Sequence, residues 1–324
     1  MGKPRGTVLI ATEIFADSIR EPAELLQAEG LQLRRNPHNR RLTREDYPAC
    51  FEGVDYVLAG LEPYDDKVFT AYPRIRVLSR IGIGVDAIDL AAAGAHGVTV
   101  YNTPAAPSKS VAELTVGFIL CLARGLIPMN ADFHQGRWMP HLGRELDRLT
   151  VGLLGFGRIG ELTAERLQAF GPRLIACDPR WDDAKAKRFG VARVGFEEIL
   201  AQSDILSLHL PLDPATRHLI DASRFDSMKP GACLINTSRG GIVDDKALVA
   251  RLRSKRLAGA ALDVFETEPD TVPYAGVPNL ILSPHVGSNT VEARYRMEMG
   301  AVRNMLAYVE AVERGVPVPP GLTR

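Results

Sequence analysis

The chain has 324 residues, 46% of them hydrophobic, enough for about two domains with buried cores, so a disordered protein is excluded. Lys plus Arg and Asp plus Glu each total 39, so no net field draws the chain to nucleic acid or an anionic membrane, and neither is expected as a partner. The apolar runs fall far short of the roughly 20 residues that cross a bilayer, and the N-terminal stretch is too short for a secretory signal.

In chain order, short β-branched runs at 8–11, 54–59, 76–81 and 98–101 read as strands with helical or turn material between them, the alternation of parallel βα units. In 107–124, Ser108 or Ser110 can cap a helix whose apolar positions Val111, Leu114, Thr115, Phe118, Ile119 and Leu122 keep a 3.6-residue period. The stretch 125–148, with Trp138 and Met139, is unusually long for a plain connection. A second series at 151–154, 174–177, 205–210, 233–236, 259–263 and 280–283 is near-continuously apolar, as strands covered on both faces should be. Thr290 then opens a last helical pattern through Ala293, Met297, Ala301, Met305 and Val309, closed by Gly315. The reading is an α/β chain with two parallel sheets, the second domain inserted into the first. Cys50, Cys121, Cys177 and Cys233 lie far apart with no C-x-x-C pair, which predicts neither a disulfide framework nor a metal site and fits a reducing cytoplasm.

The strand at 151–154 runs into Gly155-Phe-Gly157-Arg158-Ile159-Gly160 and then a helical pattern, which is G-x-G-x-x-G in its required context. Gly155 permits the tight turn, Gly157 lets the backbone approach a pyrophosphate, and Gly160 lets helix and strand pack closely. The next strand ends at Asp178, 18 residues after Gly160, where a carboxylate accepts from an adenosine ribose diol and repels a 2′-phosphate, which predicts NAD rather than NADP.

Three more strand ends carry polar residues: Arg239 within 236–244, Asp263 and Glu268 within 261–269, and His285 within 283–288. Ligands in open α/β sheets bind outside the carboxyl ends of strands, so these segments can converge on one crevice. An Arg, an acid and a His there would supply a polarising cation and a carboxylate-oriented imidazole for chemistry at a carbinol carbon.

These segments, with Arg80-Ile-Gly-Ile-Gly-Val-Asp-Ala-Ile-Asp89, Asn102-Thr-Pro104 and Ser110-Val-Ala-Glu-Leu114, resemble the D-isomer-specific 2-hydroxyacid dehydrogenases, most of all the phosphoglycerate branch of that family. The resemblance runs to His285, and the first 60 or so residues match poorly. It implies a Rossmann cofactor domain, 103–289, inserted into a flavodoxin-like substrate (catalytic) domain, 1–102 plus 290–324, with the cleft between them. It also implies that Arg239 binds substrate and polarises its carbonyl, that His285 is the acid/base and that Glu268 is its carboxylate partner. Asp263 would contact the nicotinamide carboxamide. His209 and Pro211 would line the cofactor site, and the cofactor-binding set is completed by Arg158, Ile159, Thr216, Thr237, His285 and Gly287. The backbone at Ile83 and Gly84 would receive the substrate carboxylate and Arg80 a substrate phosphate. The stretch 125–148 resembles the arm through which family members form homodimers.

The expected function is an NAD-dependent, cytoplasmic oxidoreductase interconverting a D-2-hydroxy acid and its 2-keto acid, with 3-phosphoglycerate and 3-phosphohydroxypyruvate placed first. A glyoxylate/hydroxypyruvate or other small 2-keto-acid reductase is the alternative, because a second phosphate-holding base would fall near Gly60, where none is found. From another class, an NAD-sensing co-repressor-like binding protein shares similar motifs, and fold alone does not exclude it. Nothing after Thr290 would form a regulatory serine-binding domain, so serine feedback is not expected.

Overall fold

Twelve strands, all parallel to their neighbours, form two sheets in the computed structural model, which describes residues 5–38, 40–270 and 272–323. The chain divides into two units: Met1–Pro107 with Asn289–Arg324, and Ser108–Ser288. Residues 1–4 and 324, which the expected substrate domain included, lie outside the described residues.

The first unit holds β1 (Thr7–Ile10), β2 (Gln32–Arg35), β3 (Tyr56–Ala59), β4 (Val77–Arg80) and β5 (Thr99–Tyr101), in the sheet order β2-β1-β3-β4-β5. Successive side chains of β1 enter opposite cores. Val8 and Ile10 pack with Met297, Val302, Met305 and Val309 of the C-terminal helix Val291–Arg314, while Leu9 packs with Phe51, Tyr64 and Phe69 on the other face. This two-sided burial explains why the strands are apolar throughout. The strand order is flavodoxin-like, and its direction of winding reverses between β1 and β3, where such sheets hold ligands.

The second unit opens with the helix Ser108–Arg124, which buries Val111, Thr115, Phe118 and Ile119. Then come β6 (Thr150–Leu154), β7 (Arg173–Cys177), β8 (Val191–Arg193), β9 (Ile205–Leu208), β10 (Cys233–Asn236), β11 (Gly259–Leu262) and β12 (Leu280–Leu282). Their order, β12-β11-β10-β9-β6-β7-β8, is the doubly wound nucleotide-binding arrangement with one strand added, and it reverses between β6 and β9.

Two strands escape the apolar pattern. β2 and β8 sit at sheet edges, where Gln32, Arg35, Ala192 and Arg193 face solvent. Within 125–148 the chain forms a helix, Leu126–His134, with no buried residue; Phe133 on it and Trp138, Met139 and Leu142 in the irregular stretch after it are exposed. Among the described residues all four cysteines are free, no cluster fit to hold a metal occurs, and no single helix is long and apolar enough to cross a membrane.

Candidate active site

In the second unit, β6 gives way after Leu154 to a loop and the helix Arg158–Leu167. Gly155 has φ +97°, and a Cβ there would lie 2.5 Å from the His209 carbonyl oxygen, so only glycine passes. A Cβ at Gly160 would lie 2.5 Å from the Gly155 oxygen, the close helix–strand approach that the third glycine allows. Gly157 differs: a Cβ there would meet nothing within 4 Å, and Gly157 and Arg158 are exposed while Ile159 is half-buried. The first turn of the helix therefore points its unpaired N–H groups into open space, a fit for a pyrophosphate.

Asp178 follows β7, and its carboxylate is fixed by two backbone donors, Phe156 N–H to Oδ2 and Arg180 N–H to Oδ1, each at 2.7 Å. Each oxygen keeps a lone pair for a ribose hydroxyl. Replacing Asp178 with serine should narrow the preference for NAD over NADP by at least about tenfold in catalytic efficiency, since like-charge repulsion of a 2′-phosphate is lost. Equal efficiencies with both cofactors in the wild type would contradict the assignment.

Across the sheet reversal, His209 follows β9; its Nε2 pairs with the Ser207 hydroxyl at 3.0 Å, while Nδ1 is buried without a partner among the described residues. Burial pushes this imidazole down from its ordinary 6.5 to about 4, so it stays neutral in the folded protein. The unfolded chain therefore binds a proton near pH 6.5 that the native state refuses until about pH 4. Stability is full above 6.5 and is lost as pH falls: between pH 7 and pH 5 about 2 kcal/mol should disappear, and His209→Gln should abolish that part of the loss. Urea titrations followed by Trp138 and Trp181, both in this unit, check it; an identical pH slope in the variant would contradict it. Of the remaining expected cofactor residues, Thr237 is buried with its hydroxyl 2.9 Å from that of Thr115. Thr216 spends its hydroxyl locally, donating to the Pro211 carbonyl at 2.7 Å and accepting from Asp213 N–H.

Arg239, Glu268 and His285 follow β10, β11 and β12. His285 Nδ1 lies 2.9 Å from Glu268 Oε2 and 3.2 Å from Oε1, and Glu268 Oε1 also accepts from Phe265 N–H. Both side chains are half-buried. His285 takes φ +53°, an unusual setting for a non-glycine residue, and the segment around it is held by Asp263. That carboxylate, 1% exposed, accepts from Ser283 Oγ (2.6 Å), Val286 N (2.8 Å) and Gly287 N (2.7 Å), so its visible work is to fix the loop that presents His285. Arg239 is half-buried; Asn236 Nδ2 donates to its carbonyl at 2.8 Å, and its own Nη1 donates to the Ser238 carbonyl at 2.7 Å. An imidazole held by a carboxylate through one nitrogen leaves the other free to give or take a proton, and a guanidinium can polarise a carbonyl.

Two residues that sequence reading passes over couple these carriers. Gly240 lies so close to Phe265 that a Cβ would overlap its backbone, which locks the Arg239 segment against the Glu268 segment. Asp245, buried at the start of the helix Asp245–Arg253, accepts from Glu266 N–H at 3.1 Å and from the Tyr274 hydroxyl. Burial pushes its carboxyl up. The available signal was Asp244-Asp245: one acid suffices as the cap, and Asp244 serves there through Ala247 N–H, leaving the second acid to explain.

In the first unit, Arg80 ends β4, and the loop behind it folds back on the Asn102–Thr103 segment. Thr103 N–H donates to the Gly82 carbonyl at 2.9 Å and Asn102 Nδ2 to the Ile83 carbonyl at 2.7 Å. Because a trans peptide sets N–H opposite C=O, the N–H groups of Ile83 and Gly84 point away from that segment. Arg80 donates through Nε to the Gly84 carbonyl at 3.1 Å and through Nη1 to the Ile81 carbonyl. It braces the loop.

Residues 116–287 match the description "D-isomer specific 2-hydroxyacid dehydrogenase, NAD binding domain". The chain is 39% identical over 277 residues to a D-3-phosphoglycerate dehydrogenase of Rattus norvegicus, covering 84% of this chain but 51% of that one, so it spans about half that relative's length. It is 39% identical over 291 residues to a glyoxylate reductase of Thermofilum pendens, covering 86% of this chain and 84% of that one. A D-lactate dehydrogenase of Aquifex aeolicus, solved with NAD and lactic acid, superposes with a TM-score of 0.82 at 26% identity over 95% of this chain and 96% of that chain. The glycine turn with Asp178, the Glu268–His285 pair and these alignments agree, and the chain, with its NAD-binding domain, belongs to the D-isomer specific 2-hydroxyacid dehydrogenase family.

Proposed function

We propose that the protein is an NAD-dependent reductase of small, unphosphorylated 2-keto acids such as glyoxylate or hydroxypyruvate, running in reverse as a D-2-hydroxyacid dehydrogenase. The observation that carries the choice of substrate is the engagement of Arg80 with the carbonyls of its own loop, beside a position 60 that holds glycine. NAD supplies the two-electron redox chemistry when bound. The N–H groups of Ile83 and Gly84 receive the substrate carboxylate. Arg239 binds and polarises the carbonyl, and His285, oriented by Glu268 at 2.9 Å, delivers a proton to the carbonyl oxygen and takes it back during alcohol oxidation.

As a brace, Arg80 should matter equally for every keto acid. Arg80→Ala should lower the efficiency toward glyoxylate and phosphohydroxypyruvate by the same factor within about threefold. A loss of roughly 2 to 4 kcal/mol confined to phosphohydroxypyruvate would instead reveal a lost charged phosphate contact. That outcome would favour the second reading, a 3-phosphoglycerate dehydrogenase, which rests on the 39% identity to such an enzyme.

We also infer a cytoplasmic homodimer, supported by four free thiols and by the apolar side chains crowded on 126–142, where Trp138 is 80% exposed and Phe133 64%. Light scattering of the intact protein should give twice the chain mass; a monomer at micromolar concentration would contradict it.

A further inference from the structure

The first unit carries a buried acid that this reading leaves unused. β3 is one of the two strands flanking the sheet reversal, where a ligand would sit beyond the carboxyl ends. The three residues after it are Gly60, Leu61 and Glu62. Leu61 faces solvent, but Glu62 is 2% exposed and turns back beneath the strand end. Its Oε2 accepts from Gly60 N–H at 2.9 Å and from the Tyr64 hydroxyl at 3.2 Å, and Tyr64 is itself fully buried.

The carboxylate occupies the space of a side chain at position 60: a Cβ built on Gly60 would lie 2.6 Å from Glu62 Oε1. Glycine at 60 and glutamate at 62 are thus one device. The strand end carries a buried carboxyl where a side chain at position 60 would begin. Burial pushes the Glu62 carboxyl up, while the Gly60 N–H, its own N–H and the Tyr64 hydroxyl favour the charged form. A charge at a poorly solvated site acts over longer range than one in water.

Building on the keto-acid reductase reading, we propose that Glu62 is a specificity-determining residue, which discriminates against substrates bearing a phosphoryl group and so confines the enzyme to 2-keto acids with a neutral or absent C3 substituent. The nearby positive charges do not remove this selectivity. Arg80 is occupied with the Ile81 and Gly84 carbonyls, and Arg41 acts on Glu62 only through space.

The test compares catalytic efficiency for hydroxypyruvate and phosphohydroxypyruvate, with NADH, in the full-length wild type, Glu62→Gln and Glu62→Asp. Glutamine keeps an oxygen to accept from Gly60 and Tyr64 while removing the charge; aspartate keeps the charge. The expected result is that Glu62→Gln raises the phosphohydroxypyruvate-to-hydroxypyruvate ratio at least about tenfold, with hydroxypyruvate efficiency changed less than about threefold, while Glu62→Asp leaves the ratio as in the wild type. Should Glu62→Gln not fold, Glu62→Leu carries the same expectation for the ratio. A merely structural role would lower both efficiencies together and leave the ratio unmoved, which would overturn the proposal. Wild-type enzyme that reduces neither keto acid would overturn the functional reading beneath it, whereas wild-type turnover with an unchanged ratio would overturn the role of Glu62 alone.

Discussion

Replacing His285 with asparagine or alanine should lower turnover of a 2-keto acid by about two to four orders of magnitude, the usual contribution of a positioned proton donor. Asparagine is the better probe of chemistry, because it tolerates the φ +53° that His285 adopts, whereas alanine adds backbone strain. NADH binding followed by fluorescence should fall far less than turnover in either variant, since the fingerprint loop follows β6 and Asp178 follows β7, away from His285 after β12. Glu268→Gln should do less harm: the amide can still hold Nδ1 across 2.9 Å, but the imidazolium loses its anionic partner. An unchanged rate in both His285 variants would remove this residue from the mechanism.

Arg239→Gln is expected to reduce catalytic efficiency about 10²- to 10³-fold, comparable to removing one donor that stabilises charge growing on a carbonyl oxygen. The backbone of Arg239 is fixed independently, through Asn236 Nδ2 and the close contact of Gly240 with Phe265, so the variant should fold and melt like the wild type. Arg239→Lys should recover little, since a point charge does not reproduce the planar fork of a guanidinium. Stopped-flow reduction and steady-state kinetics on the same preparations separate a loss in kcat from one in KM; a change confined to KM and below about tenfold would limit Arg239 to ground-state binding.

Most of this was legible in the sequence because the relevant pressures are local. Strands buried on both faces must be apolar throughout, so most of the strands stand out as short β-branched or aliphatic runs, and β12 does so although Leu282 is 41% exposed. The glycine fingerprint is readable for the same reason: a φ of +97° at Gly155 and a backbone contact at Gly160 each admit one residue type. β2 and β8 were illegible because an edge strand buries little and tolerates Gln32, Arg35 and Arg193. At the site, Arg239, Glu268 and His285 were visible as polar residues at apolar strand ends, but what positions them was not. Asp263 reads in the sequence as a cofactor ligand and stands in the structure as the anchor of the His285 loop through three hydrogen bonds. Asp245 serves Glu266 across 21 residues, and Glu62 fills the space of Gly60; neither relation has a spacing that a motif could record. Arg80 is a phosphate ligand by resemblance, and its donations through Nε to the Gly84 carbonyl and through Nη1 to the Ile81 carbonyl are relations that no motif records.

The most direct measurement is oxidation of NADH by the purified wild-type protein with glyoxylate, hydroxypyruvate and phosphohydroxypyruvate in parallel. The account predicts turnover with glyoxylate or hydroxypyruvate at rates of at least about 1 s⁻¹, the lower end of ordinary enzymes, with phosphohydroxypyruvate at least about tenfold less efficient. Tight NADH binding without consumption on any of the three would contradict it and mark a nucleotide-sensing protein, and phosphohydroxypyruvate as the best substrate would contradict the reading of Arg80 and Glu62.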